Sequence, residues 1–241
     1  KNNYKYIGIT GGGSCKYYKF IQDNIGVKLI KKDEFSSLVY GVRFLLSFPE
    51  NIYIYKEKLI NLNKKIPKKY IITNIGSGIS IIKIIDKNYE RIGGTNMGGT
   101  TFYKLCQAIT KEMRFDKILK SSEKGDSNKV DMLVKDIYGT SYLNLDEDVV
   151  ASSFGKYNFK NNKNDIIASL LKMFCYNISH IVSLYCKIHN ISDVIFTGFF
   201  TNNNVQVIKK INYGLNYWSK GKINDYYLKY NGYVGAIGSM I

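Results

Sequence analysis

The stretch from Tyr70 to Phe102, YIITNIGSGISIIKIIDKNYERIGGTNMGGTTF, constrains the fold more than any other part of the chain. The apolar, β-branched residues Ile71 and Ile72 lead into the turn Gly76-Ser77-Gly78, and a second apolar run follows at Ile79, Ile81, Ile82, Ile84 and Ile85. A turn at Asp86 to Asn88 comes next. Beyond Arg91 lies a loop holding Gly93, Gly94, Thr95, Gly98 and Gly99, with an apolar helix start behind it. Two strands bracketed by glycine turns, the second of which opens a helix, bring backbone N–H groups close to phosphate oxygens. An ordinary β-hairpin with flexible loops is the competing reading, because short glycine motifs also arise without any ligand.

Short strands alternate with helices along the rest of the chain, which argues for an α/β fold. Strands are expected at Tyr4 to Thr10, Val27 to Ile30, Ile52 to Tyr55 and Asp193 to Thr197. Helices are expected at Ser14 to Asn24, Glu34 to Phe48, Thr101 to Thr110, Phe115 to Ser121, Lys129 to Tyr138 and Val205 to Leu215. A long amphipathic helix is expected from Ile166 to His189, and a glycine-punctuated helix closes the chain from Gly232. Asn61 to Lys69 is the best linker candidate, giving two units at 1–69 and 70–241.

The 241 residues can bury a sizeable core. No apolar run is expected to reach membrane-spanning length and no signal peptide opens the sequence, so a soluble, cytoplasmic chain is expected. The four cysteines form no CxxC pair, so buried reduced thiols are expected rather than a metal site or disulfide framework. The net charge of +16 raises nucleic-acid binding, but the lysines are scattered along the chain. The densest cluster, Lys64, Lys65, Lys68 and Lys69 around Pro67, reads as a solvated loop. No nucleic-acid or membrane partner is expected, and the charge instead favours anionic small substrates.

Further motifs accompany the hairpin. They are TGGGSCKY at Thr10 to Tyr17, DEFSSLVYGV at Asp33 to Val42, KGDS at Lys124 to Ser127, LVKDIYG at Leu133 to Gly139, VASSFGK at Val150 to Lys156, YGLNYWSKG at Tyr213 to Gly221 and NGYVGAIG at Asn231 to Gly238. Together with NIGSGISI and RIGGTNMGGTTF, and in this order, they resemble the eukaryotic-type (type II) pantothenate kinases. That resemblance implies the two-lobed actin-like ATPase fold of the acetate and sugar kinases, heat-shock proteins and actin. It implies ATP- and Mg²⁺-dependent phosphorylation of pantothenate to 4'-phosphopantothenate, the first step of coenzyme A synthesis, with feedback by acyl-CoA.

By the same resemblance Glu34 is the expected general base, with Asp33 a structural neighbour or cap. Ser77, Ser80 and Arg91 match the residues that contact pantothenate or the same arm of acyl-CoA, with Gly78 and Ile79 lining the same wall. Gly94, Thr95, Gly98 and Gly99 match a phosphate loop. Gly11, Gly12 and Gly13 match a glycine turn near the nucleotide, and Gly198 the adenosine-side loop. Tyr142, Val150 and Ala151 match a cover reaching across a dimer interface, and Trp218 a residue near that pocket. The dimer could join two copies or this chain and a paralogue.

The chain departs from the family pattern in several places. The aspartate–glycine phosphate motif expected near the start is not found before Tyr4, so the first strands of the N-terminal lobe are expected to be absent and ATP turnover to need residues preceding Lys1. Phe199 replaces a polar residue after Gly198, Ser183 an arginine, and Asn231 an acidic residue. These departures keep open an alternative: a catalytically weak paralogue serving as the structural or regulatory subunit of a mixed kinase.

Overall fold

The computed structural model describes residues 6–241; Tyr4, where the first strand is expected to begin, lies outside them. Strands β1 (Tyr6–Ile9) and β2 (Lys28–Lys31) pair in parallel, joined by the short helices α1 (Gly11–Lys16) and α2 (Tyr18–Ile25). Helix α3 (Glu34–Leu46) follows, then the hairpin β3 (Ile52–Lys56) and β4 (Lys58–Asn61). Strands β5 (Lys69–Ile75), β6 (Ile79–Ile85) and β7 (Asn88–Thr95) form a meander, succeeded by helices α4 (Gly99–Thr110) and α5 (Phe115–Lys124). A small unit then holds β8 (Met132–Leu133), α6 (Val134–Tyr138) and β9 (Val150–Ser152). The chain closes with α7 (Lys163–His189), β10 (Asp193–Thr197), α8 (Val205–Ser219), β11 (Asn224–Leu228) and α9 (Val234–Ser239).

The main sheet has seven strands in the order β4-β3-β11-β10-β5-β6-β7. Strand β10 runs parallel to both β5 and β11, and the remaining pairings are antiparallel. This sheet does not divide at residue 69. Ile52 and Tyr53 pair with Leu228 and Tyr227, so the β3–β4 hairpin belongs with the strands after residue 69 rather than with β1 and β2. The expected 1–69 unit therefore loses residues 52–61 to the main sheet, and Asn61 ends a strand instead of opening a linker.

Strand alternation divides the core in two. Ile71, Ile75, Ile79 and Ile81 face α4, α5, α7 and α8, where Phe102, Ile118, Phe174 and Ile211 are buried. Tyr70, Ile72, Ile82 and Ile84 face α3 and α9, packing on Leu38, Val42 and Val234. Helix α7 is long and apolar enough to cross a membrane by length and composition, contrary to the expectation that no such run exists, but 67% of its most apolar window is buried inside the fold. Cys106, Cys175 and Cys186 are buried as expected; Cys15 is exposed, and Lys31 beside it lowers its thiol pKa.

The expected helix over Lys129 to Tyr138 is only half present. Met132 and Leu133 pair with β9, and Asp126 caps a 3₁₀ turn by accepting from the Asn128 N–H at 3.0 Å. A pairing partner that lies well downstream overrode the local helical pattern here.

Candidate active site

A cavity of about 530 Å³ opens where the N-terminus of α3 meets the β5–β6 turn and the end of β7. Its wall includes Glu34, Ser77, Gly78, Ile79, Ser80, Arg91, Gly94 and Thr95, so the residues expected for base and acceptor binding are neighbours across one space. Asn74, Gly76 and Asn96 complete it.

Sheet register explains the convergence. Asn74 pairs with Ser80, and Ser80 with Gly94, so all three lie on the sheet face that α3 covers. Between Ile81 and Ile82 the register slips: Ile81 pairs with Gly93 but Ile82 with Arg91, leaving Ile92 as the extra residue of a β-bulge. Without the bulge Ile92 would face α3 and Arg91 would turn to the other side. With it, Ile92 packs on the α7-side core and Arg91 reaches α3, its guanidinium 5.9 Å from the Phe35 ring centroid. Gly94 must stay bare, because a Cβ there would lie 2.2 Å from the Ile79 carbonyl oxygen and 2.9 Å from Arg91 Nη2.

Glu34 is the first residue of α3. Asp33 is the N-cap, accepting from the Ser36 N–H at 2.8 Å; this bond, ahead of the Ser36 hydroxyl, holds its carboxyl below the ordinary aspartate range. Glu34 is thereby left with its side chain on the cavity wall.

Glu34, Asn74 and Ser80 also border a second cavity of about 340 Å³, which reaches Thr10, Gly11, Gly198, Asn231 and the start of α9. Asn231 is 3% exposed; its Nδ2 donates to Thr201 Oγ1 at 3.3 Å, while its Oδ1 and the Thr10 hydroxyl have no protein partner. Gly198 has φ +99°, and a Cβ there would lie 2.4 Å from the Ile75 carbonyl oxygen. A third cavity, about 290 Å³, lies beyond the glycine turn and is mostly aromatic: Tyr103, Phe115, Phe199 and Phe200 surround Gly76, Ser77, Gly99 and Thr100. Phe199 leans on Phe115 with ring centroids 5.9 Å apart.

The two glycine turns interlock through their backbones. The Gly99 N–H donates to the Gly76 carbonyl at 2.8 Å, and a Cβ on Gly98 would lie 2.5 Å from the Ser77 carbonyl oxygen. Behind them, Gly99 and Thr100 in the first turn of α4 border the aromatic cavity.

The remaining expected residues lie elsewhere. Gly12 and Gly13 sit exposed in α1 and line none of the three cavities, unlike Gly11. Tyr142 stacks on Tyr138 at 4.0 Å, Val150 and Ala151 form β9, and Trp218 on α8 stacks on His180 at 4.0 Å. None of these four borders the cavities of its own chain. Asn74, Asn96, Thr10, Tyr103 and Phe115 do border them and were not singled out from sequence. A polar Asn74 among the isoleucines near the end of β5 was the one available signal.

The architecture has counterparts among solved structures. A ROK family protein from Streptococcus pneumoniae in complex with sucrose superimposes with a TM-score of 0.54 at 9% identity, over 93% of this chain and 68% of that one. A ROK hexokinase from Thermus thermophilus gives 0.53 at 8% identity, over 98% of this chain and 77% of the other. The fold is that of the two-lobed actin-like ATPases. A family model described as Fumble matches residues 1–241, and the chain belongs to that family, the type II pantothenate kinases.

Relatives include pantothenate kinase of Schizosaccharomyces pombe, 34% identical over 96% of this chain and 62% of its own length. Pantothenate kinase 1 of Arabidopsis thaliana is 36% identical, over 97% of this chain and 65% of its own. A mouse protein named 4'-phosphopantetheine phosphatase is 36% identical over 98% of this chain but only 30% of its own length. The chain thus spans less than two thirds of these relatives.

Proposed function

We propose that this chain carries the catalytic site of a pantothenate kinase, which transfers the γ-phosphoryl group of ATP to the primary hydroxyl of pantothenate. One observation carries the reading: among the described residues Glu34 is the only carboxylate on the walls of the three adjoining cavities, and it borders both the cavity of Arg91 and Ser80 and the cavity of Gly11 and Gly198. A general base belongs at such a junction, between the hydroxyl it deprotonates and the phosphoryl group that hydroxyl attacks.

Arg91, Ser77 and Ser80 supply donors for the pantothenate carboxylate and amide, with Gly78 and Ile79 as the wall beside them. Acyl-CoA, sharing the pantothenate arm, would compete for the same residues. On the nucleotide side, Gly94, Thr95, Gly98, Gly99, Gly11 and Gly198 leave backbone free to approach phosphates, and the aromatic cavity of Tyr103, Phe115 and Phe199 suits a flat purine. Among the described residues no three His, Cys, Asp or Glu side chains cluster as a metal cage. The unpartnered Asn231 Oδ1 and Thr10 hydroxyl with Glu34 nonetheless fit Mg²⁺ carried in on the phosphates, since that ion keeps waters and needs few protein ligands. When bound, Mg²⁺ would offset the charge developing on the phosphoryl oxygens.

A dimer is part of this proposal. Leu143, 84% exposed, lies within the segment holding Tyr142, Val150 and Ala151, Phe159, 97% exposed, follows it, and Leu184 and Ile188 are exposed one turn apart on α7. Such apolar surface favours association, which would let this segment cover a partner's pantothenate cavity. A solution mass equal to one chain in a fully active preparation would overturn this part.

Glu34→Gln keeps size and polarity but removes the proton acceptor. Turnover is expected to fall roughly 10²-fold or more while pantothenate binding survives. Near-normal turnover would refute the assignment. The second reading, a catalytically weak subunit of a mixed kinase, draws support from exposed Phe199 and uncharged Asn231 on the nucleotide side. It predicts pantothenate binding by the wild-type chain with turnover only when a paralogous subunit is added.

A further inference from the structure

A larger cavity, about 650 Å³, lies at the other end of α3, between its last turn, the segment 65–68 and the β6–β7 turn. At 1.5 Å per helical residue the end of α3 is about 18 Å from Glu34, so this is not the candidate active site. Its rim carries Arg43, Lys65, Lys68 and Lys87 against a single carboxylate, Asp86. None of the four cations belongs to an ion pair among the described residues.

Basic residues near a helix C-terminus commonly compensate its free carbonyls. At α3 three of the last four carbonyls already have partners. The Ser47 N–H donates to the Arg43 and Phe44 carbonyls at 3.2 and 3.1 Å, its hydroxyl donates to Phe44 at 2.6 Å, and the Phe48 N–H donates to Leu45 at 3.2 Å. The lysines are therefore free to serve something else.

The cavity is also preformed. Asp86 is held through both backbone groups: its N–H donates to the Lys68 carbonyl at 3.0 Å, and its carbonyl accepts from Arg43 Nη2 at 3.1 Å. Tyr70, only 4% exposed, closes the floor beside Arg43; burial raises its pKa despite that guanidinium. Leu46, Ile66 and Pro67 make the sides apolar.

We propose that this cavity is a second binding site, separate from the kinase site, for a phosphate-bearing anion with an apolar body. The phosphate sits among Arg43, Lys65, Lys68 and Lys87, and the body lies against Leu46, Ile66 and Pro67. Four cations exceed what a single carboxylate would match, whereas a phosphomonoester brings up to two negative charges with several acceptor oxygens. A soluble phosphorylated metabolite and an acidic lipid headgroup share this chemistry.

The test is to follow backbone amides of the full chain by NMR while adding inorganic phosphate or phenyl phosphate, and in a separate arm to float the chain on phosphatidylcholine vesicles with and without phosphatidic acid. Saturable shifts are expected at Ser47, Ile66 and Asn88, with phenyl phosphate tighter than inorganic phosphate. Reversing the exposed lysines together (Lys65→Glu, Lys68→Glu, Lys87→Glu) is expected to weaken binding roughly tenfold or more. Asp86→Asn removes the one repelling carboxylate at a position with φ +52°, which asparagine tolerates, and is expected to tighten it. Shifts around Ser77 and Asn96, from phosphate at the kinase site, should ignore these substitutions. Flotation dependent on phosphatidic acid identifies a lipid source, and its absence alongside phenyl phosphate binding identifies a soluble one. Unresponsive amides at Ser47, Ile66 and Asn88 together with no flotation, or binding that survives the charge reversal, would overturn the proposal. Phenyl phosphate binding no more tightly than inorganic phosphate would overturn its apolar half.

Discussion

Replacing Gly41 by alanine is expected to separate α3 from α9. A Cβ on Gly41 would lie 1.8 Å from the Val234 carbonyl oxygen and 2.7 Å from its carbon. Reciprocally, one on Gly238 would lie 1.7 Å from the Ser37 carbonyl oxygen. Ordinary contact begins near 3.4 Å, so the backbones must part by about 1.6 Å, and no rotamer change can relieve a clash with main chain. Overpacking of this kind costs about 3 kcal/mol or more at the upper end, against a gain of about 1 kcal/mol from alanine's better helix propensity. The net is a loss of about 2 kcal/mol. With a urea dependence of about 3 kcal/mol per molar, the midpoint should fall by roughly 0.7 M. The matched control is Gly12→Ala on α1, where nothing lies within 4 Å of the new methyl group. There the same substitution should be neutral or stabilising by up to about 1 kcal/mol. Circular dichroism during urea unfolding of both variants provides the comparison. A Gly41→Ala midpoint at or above wild type would refute the close-crossing argument.

Arg91→Ala should weaken pantothenate and acetyl-CoA together, by about 1.5–3 kcal/mol if one charged hydrogen bond is lost; calorimetry showing unchanged acetyl-CoA binding to the folded variant would exclude a shared pocket. Asp33→Ala removes the α3 cap and should cost about 1 kcal/mol near neutral pH. Because the folded-state pKa of Asp33 is depressed, its contribution is present above the unfolded value and is lost as pH falls through the folded one, so the gap between wild type and variant should close in acid. Equal gaps at neutral and acid pH would show that the carboxylate is not the capping group.

The β5–β6 hairpin was legible in the sequence because its signals are local, whereas the segment Asn88–Thr95, read there as a turn and a glycine loop, pairs with β6 as a third strand. Apolar alternation and glycine turns act within a few residues, and antiparallel neighbours follow directly in the chain. Ser80 falls on the α3 face by simple register with Asn74, although it and Ser77 were named by resemblance. Arg91 is different: alternation continued through the strand would turn it away from α3, and only the bulge at Ile92 brings it back. A bulge leaves no clear mark in one sequence, so Arg91 was identified by resemblance alone. The β3–β4 hairpin joins β11 across more than half of the chain, and β8 finds β9 beyond an intervening loop. Such partners are set by tertiary packing rather than by local propensity. Asn231 and Thr10 come from opposite ends of the chain to one cavity, and neither has a periodic or motif signal pointing to the other.

Under the proposed function, the interlocked glycine turns would join binding of the acceptor to binding of the nucleotide. Gly76 and Ser77 border both the cavity of Glu34 and Arg91 and the aromatic cavity of Phe115 and Phe199. The Gly76 carbonyl also accepts the Gly99 N–H, which fixes the start of α4. A ligand that moves this turn from one side must therefore move the wall of the other. Side chains cannot cushion the contact, since a Cβ on Gly98 would strike the Ser77 carbonyl and one on Gly78 would lie 3.0 Å from the Thr95 carbonyl oxygen. The coupling runs through backbone alone. If the proposed assignment holds, this geometry would favour ordered occupancy of the two sites, and one compound filling the cavity of Glu34 and Arg91 would also disturb the aromatic one.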